Sequence, residues 1–222
     1  MTTAKKLFVA RQHPTKRYQI LNEVFSAITH GIGVGLAITA LVLLVLKASG
    51  TQDTMRIVTF TVYGVSLVVL YLCSTLYHSL IFTRARHVFQ IFDHSSIFIL
   101  IAGTYTPYTL VAIGGWQGWA MFGGIWGLAL LGILYKIFVV GKHPIFETLL
   151  YVVMGWLVII SAKPLAAAIG MKGLWLLIGG GIAYTFGALL YSMRGIKFIH
   201  VIWHLFVLLG SILMFFSVYL YV

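Results

Sequence analysis

Long apolar stretches, separated by short polar, glycine or proline interruptions, dominate the chain after its first 21 residues. They are apolar on all sides and lack the period-two alternation of a membrane β-barrel. At about 1.5 Å per residue, each is long enough to cross about 30 Å of hydrocarbon as a helix. The pattern predicts seven membrane helices with the approximate bounds Glu23–Leu46, Met55–Leu80, Val88–Ile113, Gly118–Val140, Ile145–Ile169, Lys172–Met193 and Phe198–Val222.

The composition also indicates a membrane protein. Hydrophobic residues make up 61% of the 222 residues and charged residues only 9%, whereas soluble domains contain about 25% charged residues. This leaves too little polar surface to cover a water-soluble globule. We therefore expect an all-α, seven-transmembrane helix bundle formed by residues 22–222, preceded by a basic cytoplasmic tail formed by residues 1–21, with no separate soluble domain.

The basic residues predict the orientation, because Lys and Arg are enriched on the cytoplasmic side of membrane proteins. With the N-terminus in the cytoplasm, eleven of the fifteen Lys and Arg residues lie on the cytoplasmic side; the other four are Lys47, Arg56, Lys163 and Lys172. We expect a multi-pass protein of the inner (cytoplasmic) membrane with its C-terminus outside. The positive net charge therefore reports topology, and no nucleic-acid partner is needed to explain it.

Ionisable residues inside apolar stretches are costly and indicate a partner or a function. Of the four acidic residues, Glu23 and Asp93 lie at or within predicted spans, while Asp53 and Glu147 are expected at solvated or interfacial positions. Five of the eight histidines lie within spans: His30, His78, His94, His200 and His204.

Four of these residues are expected in one layer. His78 and Asp93 lie equally far from the turn between the second and third spans, and the last span enters from the same side with His200 and His204 in its first two turns. The i, i+4 spacing of the last two places both imidazoles on one helix face. Three histidines with an open fourth position are typical of catalytic zinc, which lowers the pKa of bound water to about 7.

Asp93 is the candidate to hold that water or to act as general base. Iron, copper and nickel also accept imidazole ligands, so ligand type does not select zinc alone. Glu23, Ser26 and His30, in the first turns of the first span, are expected to form a packing or hydrogen-bond network around the ligands. His94 points away from Asp93 and is expected to bond to a neighbouring helix.

Clustered glycines in three spans predict close helix packing rather than phosphate-binding loops. These glycines are Gly31, Gly33 and Gly35, then Gly123, Gly124 and Gly127, then Gly179, Gly180 and Gly181.

The combined motifs resemble the progestin and adiponectin Q receptor family, and more narrowly its bacterial hemolysin III branch. They are Glu23-x2-Ser26-x2-Thr29-His30-Gly31, Ser74-Thr-Leu-Tyr-His78, Phe92-Asp93-His94 with Gly103-Thr-Tyr-Thr-Pro107, and His200-Val-Ile-Trp-His204. Ser26 departs from the Asn that many relatives carry. The resemblance implies that His78, His200 and His204 bind Zn²⁺, with Asp93 and Ser74 holding a zinc-bound water.

The same resemblance links the chain to alkaline ceramidases and so implies hydrolysis of a lipid amide, with a membrane lipid as substrate or ligand. Two other functions stay open. One is a non-enzymatic sensor or regulator of membrane homeostasis, in which zinc fixes the relative positions of helices. The other, suggested by the family name, is a pore-forming hemolysin.

Overall fold

The computed structural model describes residues 15–139, 144–193 and 196–222, and within them the chain is helical with no β-strand. A π-helix, Tyr108–Ile113, follows the third α-helix, and a 3-10 helix, Leu157–Ser161, precedes the sixth. The α-helices of the described residues are α1 Lys16–Ser49, α2 Thr54–Ser79, α3 Arg86–Pro107, α4 Gly115–Phe138, α5 Pro144–Trp156, α6 Ala162–Ser192 and α7 Ile199–Tyr221.

Within the described residues, six helical stretches are long and apolar enough to cross a membrane. This confirms an all-helical, multi-pass membrane protein. The fifth and sixth predicted spans lie together in one of these stretches, Ile145–Ser192, which is 48 residues long. Its helical geometry is interrupted at Gly170, where φ is 66° and ψ is 173°, a left-handed conformation that glycine adopts without steric cost. Gly170 lies between the fifth and sixth predicted spans, Ile145–Ile169 and Lys172–Met193, where the sequence predicts a turn.

Side-chain caps set the beginnings of the first two helices. The amide of Tyr18 donates to Thr15 Oγ1 at 3.2 Å, so α1 begins at Lys16. The amides of Met55 and Arg56 donate to Asp53 Oδ1 at 2.9 and 3.3 Å at the start of α2. Such caps satisfy amides that have no partner within the helix. Residues 16–21 of the predicted tail thus form the first turns of α1, and residues 1–14 lie outside the described residues.

The bundle joins helices that are distant in sequence. α1 packs on α2, α2 on α3 and α6 on α7, and α7 also contacts α1. The Tyr71 hydroxyl of α2 donates to Ser211 Oγ of α7 at 2.7 Å, deep in the interior. Since α1, α2 and α7 are mutual neighbours, residues at the start of α1 and α7 meet residues at the end of α2.

The glycine clusters do not all serve close packing. A Cβ at Gly33 would collide with the Tyr71 ring, and one at Gly180 would lie 2.9 Å from Met214. In α4, by contrast, nothing lies within 4 Å of such an atom at any of the three predicted packing glycines, Gly123, Gly124 and Gly127. That prediction was wrong, because α4 packs through a different face, which carries the buried residues Gly118, Ile125, Ala129, Gly132 and Lys136.

Candidate metal centre

Three imidazoles meet where α2 ends and α7 begins. His78, His200 and His204 each offer a ring nitrogen, and these nitrogens all lie within 4.8 Å of one another. Among the described residues, these side chains form the group of His, Cys, Asp or Glu that can hold a metal ion. They are the three histidines expected to be ligands.

The spacing and chemistry of this group fit a zinc ion. His200 Nε2 lies 3.1 Å from His78 Nε2. A tetrahedral zinc with Zn–N bonds of about 2.0–2.1 Å places its ligand nitrogens about 3.3–3.4 Å apart. Two neutral imidazole lone pairs facing each other at this distance repel unless a cation or a proton lies between them. Imidazole also suits other transition metals, so the geometry supports a metal site without identifying the ion.

The remaining nitrogen of His78 is held by a carboxylate of α1. His78 Nδ1 donates to Glu23 Oε2 at 2.6 Å, and the His78 side chain is 2% exposed. The contact fixes Nδ1 as the protonated nitrogen and leaves the Nε2 lone pair facing His200. Carboxylates on the far nitrogen of a metal-binding histidine orient the ring and raise its basicity. The structure thus gives Glu23 a hydrogen bond to one of the three histidines, as a member of the network expected around them.

His204 is oriented by the next turn of α1. Its Nδ1 donates to the main-chain carbonyl of Ser26 at 3.2 Å and lies 3.2 Å from Thr29 Oγ1. Ser26 therefore acts through its backbone, and its own Oγ is buried without a hydrogen-bond partner among the described residues. Thr29 was not predicted to contact the ligands. Its position three residues after Ser26, on the same helix face, is the sequence signal that would have indicated it.

His30 contacts the centre by stacking. Its ring lies against His204 with centroids 3.5 Å apart and planes inclined by 9°, and its other side meets the Tyr71 ring edge-on at 5.0 Å. Both ring nitrogens of His30 are buried and lack a hydrogen-bond partner in the described part of the chain. The packing role expected for His30 agrees with this geometry, although no direct hydrogen bond to a ligand is present there.

A cavity of about 330 Å³ adjoins His200 and His204 and extends into the bundle. Asp93 and Ser74 line it together with His200 and His204. Ser74 is buried, whereas the Asp93 side chain keeps 14% of its surface exposed. Asp93 is not part of the tight histidine group found among the described residues, and its expected role in holding a water or acting as general base stays a prediction.

A second buried polar cluster joins α3, α4 and α5. Lys136 Nζ donates to Glu147 Oε2 at 2.6 Å, and His94 Nδ1 lies 3.3 Å from the same oxygen. The interhelical bond expected for His94 is therefore present. The solvated position expected for Glu147 was wrong, because Glu147 is 3% exposed and its charge is balanced by Lys136 instead of by water.

The sequence contained a signal for this ion pair. Lys136 and Glu147 lie nearly equally far from the centre of the linker at residues 141–144, as His78 and Asp93 do around their own turn. Opposite charges placed symmetrically about a helical hairpin lie at one depth and pair with each other.

Sequence comparisons identify the family to which the chain belongs. A family model described as Haemolysin-III related matches residues 18–215, a range that contains every residue of the centre. The chain belongs to this family. It is 47% identical over 203 residues to "Hemolysin-3" of Bacillus cereus, covering 91% of this chain and 93% of the relative.

Two further relatives match most of the chain, one at the same identity and one at a lower identity. "Hemolysin-3 homolog" of Bacillus subtilis (strain 168) is 47% identical over 204 residues, which cover 92% of this chain and 96% of the relative. The human "Monocyte to macrophage differentiation factor" is 28% identical over 180 residues, covering 77% and 73% of the two chains. The human relative belongs to the progestin and adiponectin Q receptor family and is distantly similar to this chain, so the resemblance inferred from the motifs is confirmed.

Proposed function

We propose that this haemolysin-III family protein is a zinc-dependent membrane hydrolase that cleaves a lipid amide. The observation that carries the proposal is the meeting of three imidazole nitrogens within 4.8 Å beside a cavity lined by Asp93 and Ser74. Three histidines with an open position are typical of catalytic rather than structural zinc.

His78, His200 and His204 are the proposed zinc ligands, oriented by the contacts of α1. Zinc bound by these residues would supply Lewis-acid polarisation of a carbonyl and a water nucleophile at neutral pH. Ser74 and Asp93 hold the attacking water by hydrogen bonds. Asp93 takes the proton that this water releases and passes it to the nitrogen that leaves. The reaction consumes one water and produces a carboxylic acid and an amine.

The cavity supports a substrate with an apolar chain. Beyond its polar end, the wall consists mainly of aliphatic and aromatic side chains, and it reaches as far as Leu165, Leu177 and Met214. Pockets of this kind bury the apolar body of a ligand and use a few polar groups to fix its orientation. An acyl chain lying along this wall places its carbonyl end at the histidines.

We also propose seven membrane crossings, with a cytoplasmic N-terminus and an outer C-terminus, in the cytoplasmic membrane. Support comes from the distribution of Lys and Arg and from the length of Ile145–Ser192, which as one straight helix would extend about 72 Å. Reversal of the chain at Gly170 turns this stretch into two crossings. Cysteine-labelling from each side of the membrane tests this, with single reporters at Thr51 and Thr83 in a Cys73→Ser background.

Metal analysis and turnover together test the enzymatic proposal. The purified protein should contain about one zinc per chain, and Asp93→Asn should keep the zinc while losing hydrolysis of N-acyl lipids in liquid chromatography and mass spectrometry. His87→Asn, on the same helix but exposed, is the matched control and should keep both. Zinc-loaded protein without turnover on any N-acyl lipid would contradict the proposal.

A second candidate function, a non-enzymatic membrane sensor or regulator, is favoured by one observation. The three histidines come from α2 and α7, and two of them bond to α1, so bound zinc would lock three helices together. This function predicts that His204→Ala lowers the melting temperature more than Asp93→Asn does. Equal melting temperatures with and without chelator would contradict it.

A third, weaker candidate rests only on the names of the Bacillus relatives, which include the word hemolysin. A pore-forming activity predicts that the purified protein releases a trapped dye from liposomes. Retention of the dye at protein-to-lipid ratios that insert the protein would remove this candidate.

A further inference from the structure

Asp93 and His94 form a narrow polar gap in the wall of the cavity that His200 and His204 also line. His94 Nε2 lies 4.0 Å from Asp93 Oδ2, and the two side chains keep 27% and 14% of their surface exposed. Both residues line the cavity. A separation of 4.0 Å exceeds the usual hydrogen-bond range of about 2.7–3.2 Å, so the two groups do not bond to each other directly.

The buried ion pair decides which nitrogen of His94 carries hydrogen. Lys136 Nζ contacts Glu147 Oε2 at 2.6 Å, with the two side chains 0% and 4% exposed, which keeps the Glu147 carboxylate charged and acceptor-only. His94 Nδ1, 3.3 Å from that same oxygen, must therefore be the donor. In the neutral ring, Nε2 is then an acceptor, and it faces a carboxylate that is also an acceptor.

A single group can bond to two acceptors 4.0 Å apart only if it carries at least two hydrogens, one for each acceptor. A hydroxyl offers one hydrogen and a water molecule two, whereas the ammonium form of a primary amine offers three and adds a positive charge beside the Asp93 carboxylate. We propose that the Asp93–His94 gap is a binding subsite for the primary amine of the ligand, and that Glu147 and Lys136 are positioning residues that set the acceptor face of His94.

This inference rests on the proposed function, because that function supplies the amine. Hydrolysis of an N-monosubstituted lipid amide breaks the C–N bond and releases a primary amine. The water oxygen bonds to the carbonyl carbon, and the nitrogen gains the hydrogen that Asp93 transfers. The subsite would hold that nitrogen as it leaves, on a wall of the same cavity that His200 and His204 line.

Binding of amines that differ only in their number of N–H groups tests the inference. Dodecylamine and N,N-dimethyldodecylamine have the same chain and the same charge when protonated, but the second has one N–H. Their affinities are measured in zinc-loaded protein in lipid nanodiscs through the change in tryptophan fluorescence, since two of the six tryptophans, Trp156 and Trp203, line the cavity. Dodecylamine should bind about tenfold more tightly, the gain of one charge-assisted hydrogen bond.

Matched variants test whether the preference for dodecylamine arises at the Asp93–His94 gap. His94→Phe keeps a planar ring without nitrogens and should abolish the tenfold difference, whereas His87→Phe, exposed on the same helix, should keep it. Lys136→Met combined with Glu147→Leu removes the acceptor from Nδ1 without leaving a buried charge and should also reduce the difference. This double variant keeps the test decisive if His94→Phe does not fold.

The outcomes separate this inference from the proposed function. Equal affinity for the two amines in the unmodified protein, or a preference that survives in His94→Phe, overturns the amine subsite even when hydrolysis is observed. Selective amine binding without hydrolysis keeps the subsite and contradicts the hydrolase.

Discussion

The His78 ring is contacted at both of its nitrogens: Nδ1 donates to Glu23 Oε2 at 2.6 Å, and Nε2 lies 3.1 Å from His200 Nε2. The carboxylate and the proposed metal position thus lie on opposite sides of one ring. This arrangement makes α1 part of the centre although it supplies none of the three imidazoles. A change in α1 should therefore alter metal binding without removing a ligand.

Glu23→Gln tests this directly. The amide keeps the shape of the side chain but removes the negative charge that orients His78 and raises its basicity, so zinc affinity should fall about 10–100-fold. Competition with a chromophoric chelator measures the change. Asn22→Ala is the control, because Asn22 contacts Oε1 of Glu23 and not the oxygen on His78. Unchanged zinc affinity in Glu23→Gln would show that the carboxylate does not support the site.

The stacking of His30 on His204 gives a second prediction. His30→Phe preserves a flat ring against His204 and removes two buried nitrogens that lack partners in the described residues, so it should match or exceed the unmodified protein in melting temperature. His30→Ala removes the stack and should lower both melting temperature and zinc affinity. Cobalt substitution adds a spectroscopic readout, since a displaced His204 changes the ligand-field bands. Loss of zinc in His30→Phe would instead indicate that a His30 nitrogen takes part in metal binding.

Close approach of α1 and α2 gives a third prediction. A Cβ at Gly64 would lie 2.6 Å from Leu41 Cδ1 and 2.9 Å from Leu41 Cα, so the two helices would have to separate. Gly64→Ala should destabilise the protein by about 1–3 kcal/mol. Gly35→Ala, in α1 with nothing within 4 Å of the new atom, should be neutral or slightly stabilising because alanine favours the helix. Thermal melting in detergent compares them, and equal shifts would argue against this helix contact.

Much of the fold could be predicted from the long apolar stretches and from the polar, glycine and proline residues that interrupt them. Stretches apolar on all sides have few alternatives to membrane helices, because backbone groups in lipid must be paired internally. The break at Gly170 was foreseeable from its position between two long apolar stretches. The glycines of α4 were misread, since small residues indicate close packing only on the face that meets a neighbour, and an apolar helix does not reveal which face that is.

The meeting of the three histidines was predictable because helix direction and turn position fix depth. The depth of a residue in the bundle does not determine how its helix is rotated about its own axis. The sequence therefore placed Glu23 near the ligands without assigning it to His78, and it did not single out Thr29 as a contact of His204. It also left Glu147 at an interface, because the position of its partner Lys136 was interpreted only as a marker of the cytoplasmic side.

The Lys136–Glu147 pair gives the last prediction. Both side chains are buried and their charged atoms are 2.6 Å apart, so removing one partner leaves an uncompensated charge inside the bundle. Glu147→Leu alone or Lys136→Met alone should each destabilise the protein by about 3–5 kcal/mol, while the double variant should lose far less than the sum, since replacing both charges with apolar groups removes their desolvation penalty as well. A double-mutant cycle of melting temperatures measures this coupling. Additive effects would mean that the two charges are compensated separately and that the orientation of His94 does not depend on their contact.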